Sequence, residues 1–346
     1  MKKKDNKCPY VAVGGQALME GIMMKGPKGT AMSLRMPDGS IETQMKSFKS
    51  YRKKYKILNL PLVRGIVSFV ESMVVGYKCL MESAEKTSLD LENDVGESKL
   101  DKWLSEHFGP KMMAVIGGIS MVLSLALAFL LFMYAPTKAF ELVNKYLFDG
   151  EISAFKTLFE GVIRVGIFVI YMYAVSRMKE IRRVYMYHGA EHKSIFCFEA
   201  GLELTVENVK KQKRFHPRCG TSFIFITIIL SILISSIFAV VLPDYIVETT
   251  WLWIGIKVLI MPLIMGIGFE FIQLAGKYPN KLTKALSAPG LLMQRITTVE
   301  PTDDIIEVGI QALKAALSGE PEQVPAPSAE SDDVTDAQAV SEDSAE

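Results

Sequence analysis

The sequence predicts a mainly α, polytopic helical membrane protein with about four transmembrane helices. An amphipathic or re-entrant N-terminal helix and a small cytoplasmic β-containing segment precede them. Three observations carry this prediction. Apolar residues make up 49% of the 346-residue chain and are gathered into long uncharged runs, and a run of ~20 is what a helix needs to span a bilayer. Strongly basic segments alternate with these runs, as the positive-inside rule requires. The net charge of +1 also hides an asymmetry: residues 319–346 hold nine acidic residues and no Lys or Arg. The rest of the chain is therefore at about +10, which suits contact with anionic lipid headgroups. The basic residues bracket apolar runs and do not interleave with aromatics, which argues against nucleic acid as a partner.

Residues 1–57 read as a cytoplasmic N-terminal segment. Its first residues are basic, but no apolar h-region follows, so no cleavable signal peptide is expected. Residues 10–13 could be a strand, followed by the turn-prone pair Gly14-Gly15. Residues 31–35 and 40–44 flank Pro37-Asp38-Gly39 and predict a β-hairpin. Residues 58–111 hold an amphipathic or membrane-skimming helix and a polar linker. The apolar stretch 60–81 is interrupted by Arg64 and Glu71, two charges that disfavour a full span.

The membrane-embedded part covers residues 112–275, with predicted spans at 112–133, 158–176, 221–242 and 251–275. The second span contains Glu160 and Arg164, and the fourth Glu270; such groups need a partner, a wet cavity or an interfacial position. Trp251 and Trp253 suit an interfacial belt. The loop 177–220 holds ten Lys or Arg, 243–250 none and 135–157 three. The rule thus puts the middle loop and both termini in the cytoplasm. Residues 276–318 form a cytoplasmic C-terminal segment, basic and turn-rich to 295. From 303 to 318, Ile305, Val308, Ile310, Leu313 and Leu317 fall near helical spacing behind Asp303 and Asp304. The acidic tail 319–346 reads as disordered.

The candidate chemistry is concentrated in the basic loop, which holds three of the four histidines. In His188-Gly-Ala-Glu191-His192, two imidazoles at i and i+4 share a helix face and can reach one metal. H-x-x-E-H is also the spacing of the inverted zinc peptidases, in which the carboxylate is the general base. His216-Pro-Arg218-Cys219 adds an imidazole and a thiol just before the third span, and zinc accepts both. His188, His192, His216 and Cys219 together would make a closed structural Zn²⁺ site. Three of them would leave a position open for catalysis, with Glu191 polarising the water. Glu20, from Gly14-Gly-Gln-Ala-Leu-Met-Glu20-Gly21, and Arg218 are further candidates for the same site. The plainer alternative is that these His and Arg side chains meet lipid headgroups and that Cys219 only packs. The cysteines, with no C-x-x-C pair, read as reduced thiols.

Four motifs occur in order: Gly14-Gly-Gln-Ala-Leu-Met-Glu-Gly-Ile-Met-Met24, His188-Gly-Ala-Glu-His-Lys193, His216-Pro-Arg-Cys-Gly-Thr221 and Gln294-Arg-Ile-Thr-Thr-Val-Glu-Pro301. Together they resemble the YqhQ-like family of bacterial membrane proteins, over residues 14–318. The resemblance implies a bacterial cytoplasmic-membrane location. That family is a domain of unknown function, described as a predicted metal-dependent enzyme. The reading that follows is a membrane-embedded, metal-dependent enzyme, a hydrolase at the cytoplasmic membrane face. Its partners would be the bilayer and a lipid-linked or membrane-protein substrate. The alternatives are a non-catalytic scaffold or biogenesis factor with a structural His/Cys site, and a transporter.

Overall fold

The computed structural model describes residues 13–48, 50, 52, 55–87, 110–149, 155–217, 219–277 and 281–326. Four strands come first: β1 (Gly14–Leu18), β2 (Gly21–Gly26), β3 (Gly29–Arg35) and β4 (Ile41–Lys46). Helix α1 (Val63–Thr87) follows. A long helix then runs as α2 (Pro110–Phe129), a π-helical turn (Leu130–Tyr134) and α3 (Ala135–Leu147). Next come α4 (Lys156–Val175), α5 (Lys179–Glu199), α6 (Val206–Lys210), α7 (Gly220–Val241), α8 (Asp244–Glu248), α9 (Thr250–Lys277), α10 (Lys281–Thr297) and α11 (Asp303–Ser318).

The sheet is an antiparallel meander in the order β1-β2-β3-β4, and the period-2 alternation of its strands serves two layers. Ile22, Met24 and Ala31 face one way and pack with Tyr187 and Ala190 of α5 and with Ile305, Val308 and Leu313 of α11. Leu18, Met23, Met32 and Leu34 face the other way and pack with Cys79 of α1. The expected hairpin is β3–β4, and it pairs Ile41 with Arg35. Two strands go beyond the prediction. Gly14-Gly15 is not a turn but the start of β1, paired with Lys25 and Met24 of β2. The turn falls instead at Met19-Glu20, where Glu20 takes φ +49°.

Among the described residues, four helices are long and apolar enough to cross a membrane: Gly118–Leu147, Lys156–Val175, Ser222–Val241 and Thr250–Leu274. They correspond to the four predicted spans. The first continues through α3, into what the sequence suggested was a loop. Val122, Leu125, Ile170, Val240 and Leu259 are exposed on the bundle, an apolar surface suited to lipid. Helix α1 is not among the four, and its charge Arg64 is paired with Glu270 of α9 (Nε to Oε1, 2.6 Å). Val70, Met73, Val74, Tyr77 and Met81 form an exposed apolar stripe along it.

Three further expectations change. Residues 281–297 form a helix in spite of Pro289, because Ser287, Gly290, Gln294 and Thr297 are buried at helical spacing and a Cβ on Gly290 would lie 2.5 Å from the Ser222 Cα of α7. Tertiary packing here outweighs the local turn signal. Trp251 is exposed and stacks on Tyr134, whereas Trp253 is wholly buried; residues two apart on a helix point to opposite sides, so only Trp251 can lie in a belt. The tail does not leave the fold at residue 319, since Val324 bridges Ile41 and Gln323 pairs with Thr43 at the open edge of β4. The rest of the tail, Arg218 and residues 10–12 of the strand expected at 10–13 lie outside the described residues; Val13 precedes β1 and is not in a strand.

Candidate metal centre

Helix α5 crosses the sheet with its apolar residues Tyr187, Ala190 and Ile195 in the core. This fixes the rotation of the helix and presents His188, Glu191 and His192 together on adjoining turns. Each histidine is oriented by a backbone carbonyl. His188 Nδ1 lies 2.8 Å from the Thr297 oxygen, and His192 Nδ1 2.5 Å from the Arg214 oxygen. A carbonyl only accepts, so each Nδ1 carries the proton and each Nε2 keeps its lone pair. Outer-shell hydrogen bonds of this kind orient metal-binding imidazoles.

Cys219 meets them from the N-cap of α7. Its Sγ is 3.1 Å from His188 Nε2, and one ligand atom from each of His188, His192 and Cys219 lies within 4.8 Å of the others. His192 Nε2 is buried and makes no hydrogen bond of good geometry among the described residues, facing only the soft Cys219 sulfur. A buried acceptor without a donor is costly, and a cation would satisfy it. Two imidazole nitrogens and one sulfur form a donor set that zinc takes readily. Burial holds the His192 imidazole below its ordinary pKa, hydrogen bonds and the Cys219 sulfur opposing, which favours the neutral, ligating form.

Glu191 is buried one turn from His188, and its Oε1 accepts the Gly15 N–H of β1 at 3.0 Å. Burial raises its carboxyl above the usual range, against the pull of His188, His216 and the Gly15 N–H. Gly15 must be glycine here: a Cβ would lie 2.6 Å from the Met23 oxygen and 3.1 Å from the Glu191 carboxyl carbon. The alternation that turns Gln16 toward Gly76 of α1 turns Gly15 toward α5.

His216 does not join the donor group. Its ring packs on Phe196 at 4.6 Å and His192 at 5.6 Å, with Nε2 3.7 Å from Glu199 Oε2. Burial pushes its pKa down to about 4, against the opposing charge of Glu191. His216 and Cys219 flank a turn at Pro217 and do not lie on a helix together. Glu20 is also elsewhere. The β1–β2 turn delivers its carboxylate to Arg183 (Nη2 to Oε2, 2.6 Å) and to the Tyr187 hydroxyl at 3.0 Å.

Several positioning residues escaped the sequence reading. The Gln294 side chain accepts the His216 N–H at 2.7 Å and donates to the His216 oxygen at 2.8 Å, holding the turn that carries Cys219. Thr297 supplies its carbonyl to His188, and Lys193 pairs with Glu300 and donates to the Lys210 oxygen. A Cβ on Gly189 would fall on the Val299 carbonyl oxygen. These residues lie inside the quoted motifs, but only the fold shows that the motif at 294–301 supports the other two.

The model of a family described as a protein of unknown function, DUF1385, matches residues 60–319. The chain is also 36% identical over 315 residues to the uncharacterized protein YqhQ of Bacillus subtilis (strain 168), covering 88% of this chain and 92% of that protein. The chain belongs to the DUF1385 family. The YqhQ-like resemblance drawn from the four motifs thus holds. The DUF1385 match runs from α1 through α11 and contains the whole His/Cys cluster. No solved structure matches the chain.

Proposed function

We propose that this chain is a membrane-embedded, metal-dependent enzyme, a hydrolase working at the cytoplasmic membrane face. One observation carries the reading: His188 Nε2, His192 Nε2 and Cys219 Sγ converge as a three-donor set, with both imidazoles pre-oriented by carbonyls. Three protein ligands are the number used by catalytic zinc sites, which keep one position open, whereas structural sites use four. Zn²⁺ bound there would supply Lewis acidity and lower the pKa of a bound water. Glu191, tethered through Oε1 by Gly15, keeps its second oxygen for proton transfer. Its burial lifts the carboxyl toward the range in which a general base works near neutral pH.

The location supports a membrane substrate. Cys219 caps a helix that is long and apolar enough to span, so the cluster sits at headgroup level. Helix α1 packs on the end of α9 and on the sheet, and its exposed apolar stripe suits resting on the bilayer surface. By the positive-inside rule this side is cytoplasmic. A lipid-linked or membrane-protein substrate fits that position.

Elemental analysis of the purified chain tests the reading. Zinc near one per chain is expected, falling several-fold in His188→Ala, His192→Ala and Cys219→Ala and holding in His216→Ala. Wild-type protein without metal after gentle purification would sink the proposal. Loss of zinc in His216→Ala would indicate a four-ligand, structural site. Glu191→Gln should retain the metal and abolish the cellular function; loss of the metal as well would make Glu191 a ligand.

A further inference from the structure

A second cluster of charged side chains lies inside the bundle, at the end away from the His/Cys site. It involves the first half of α4 and of α9. Lys257 of α9 pairs with Glu160 of α4, both buried. Lys156, one turn before Glu160, is buried and donates to the Val247 oxygen at 2.6 Å. Arg164, one turn after Glu160, lies roughly 12 Å of helix beyond Lys156. The Trp253 indole is wholly buried between the two lysines, whose Nζ atoms are 4.9 Å (Lys257) and 5.9 Å (Lys156) from its ring.

Among the described residues the charges do not balance: Lys156, Arg164 and Lys257 share one buried carboxylate, Glu160. Of the carboxylates beyond it, Glu141 is held by Lys138 and Thr250, and Glu248 is exposed. Arg164 cannot shed its proton. Its hydrogen bonds go to the Phe132 oxygen (2.9 Å) and the Ser231 hydroxyl (3.5 Å), neither of them an anion. Three buried polar atoms also have no partner among the described residues: Arg164 Nη2, Trp253 Nε1 and Glu160 Oε1. In an apolar surround such atoms are costly and mark sites of function.

The unmet groups specify a ligand. Two are donors and one is an acceptor, set in excess positive charge. A matching group is anionic, offers at least two acceptor oxygens and carries one O–H. Chloride and a phosphodiester lack the donor, and a carboxylate lacks it too. We infer that Lys156, Arg164, Lys257 and Trp253 form a binding site within the bundle for a phosphate or phosphomonoester group, with Glu160 Oε1 accepting its O–H. The group is either free inorganic phosphate or the headgroup of a phosphatidic-acid-type lipid. This inference is independent of the His/Cys centre.

The test uses the full chain with Trp103→Phe and Trp251→Phe, which leaves Trp253 as its one tryptophan. Its emission is followed during titration with inorganic phosphate in detergent, against chloride at matched ionic strength. In parallel it is compared in nanodiscs of phosphatidylcholine with and without phosphatidic acid, and with phosphatidylglycerol as the diester control. A saturable change with phosphate alone assigns the free anion; a change with phosphatidic acid alone assigns the lipid. Arg164→Gln and, separately, Lys156→Gln should each weaken the response at least about tenfold, while Lys145→Gln, at an exposed cation, should not. No saturable response to either ligand overturns the site. So does an equal response to chloride or phosphatidylglycerol, or an unchanged affinity in folded Lys156→Gln.

Discussion

At the scale of single residues, Gly189 shows how closely the site is built. It separates His188 from Glu191 and His192, and it is where α5 presses on the chain after α10. The Val299 N–H donates to the Tyr185 oxygen at 2.9 Å, and the Val299 oxygen fills the space a side chain on Gly189 would need. Thr297, whose carbonyl orients His188, is two residues away. Gly189→Ala should therefore have two consequences. Overpacking costs about 1–3 kcal/mol, seen as a lower Tm in detergent. Displacement of Thr297 also frees the His188 ring, so zinc content should fall more than an equally destabilising change in the sheet lowers it. A drop in Tm with full metal occupancy would show that the contact is only structural. The two histidines of α5 were legible in the sequence because helical spacing alone brings them together. His216 was not, because its place depends on a turn held by Gln294, far away in the chain.

At the scale of elements, packing and charge make separate contributions that can be weighed. Helix α1 joins α9 through the Arg64–Glu270 pair and through the approach of Gly65 to Gly266. The pair is half-exposed, with relative side-chain exposures of 40% and 24%, and such pairs contribute little. The glycine contact is backbone on backbone: a Cβ on Gly266 would lie 2.9 Å from the Leu62 oxygen. Arg64→Gln should therefore leave Tm nearly unchanged, whereas Gly266→Val should cost about 1–3 kcal/mol and speed proteolysis between residues 55 and 63. A larger loss for Arg64→Gln would reverse that ranking. The π-helical turn follows a similar economy. Pro136 lacks the N–H that would reach back four residues to the Phe132 oxygen, and Arg164 donates to that oxygen instead. Arg164 thus turns inward and does not snorkel.

At the scale of the whole molecule, the long apolar helices were readable from run length and charge alone, as was α11 from its spacing. The β-sheet was only half readable. β3 and β4 announce themselves through Pro37-Asp38-Gly39, but β1 and β2 contain four glycines and join through Met19-Glu20, so local propensity favoured a loop. Their burial on both faces, between α1 and the α5–α11 layer, stabilises them as strands. This layered body is attached to one end of the bundle: α5 follows α4, α10 packs on the start of α7, and α1 on the end of α9. The turns between α3 and α4 and around α8 occupy the other end, so a single crossing by each span should put the two ends on opposite sides of the membrane, and four crossings should return the chain to the side it started from. Enzyme reporters active only in the cytoplasm should work when fused ahead of Pro61 or after Pro325, and fail when inserted at Asp149 or Glu248. Reporters active only outside should give the reverse. Activity of the cytoplasmic reporter at Glu248 would mean that α7 and α9 do not both cross, and the His/Cys cluster would then lose its place at the cytoplasmic headgroups.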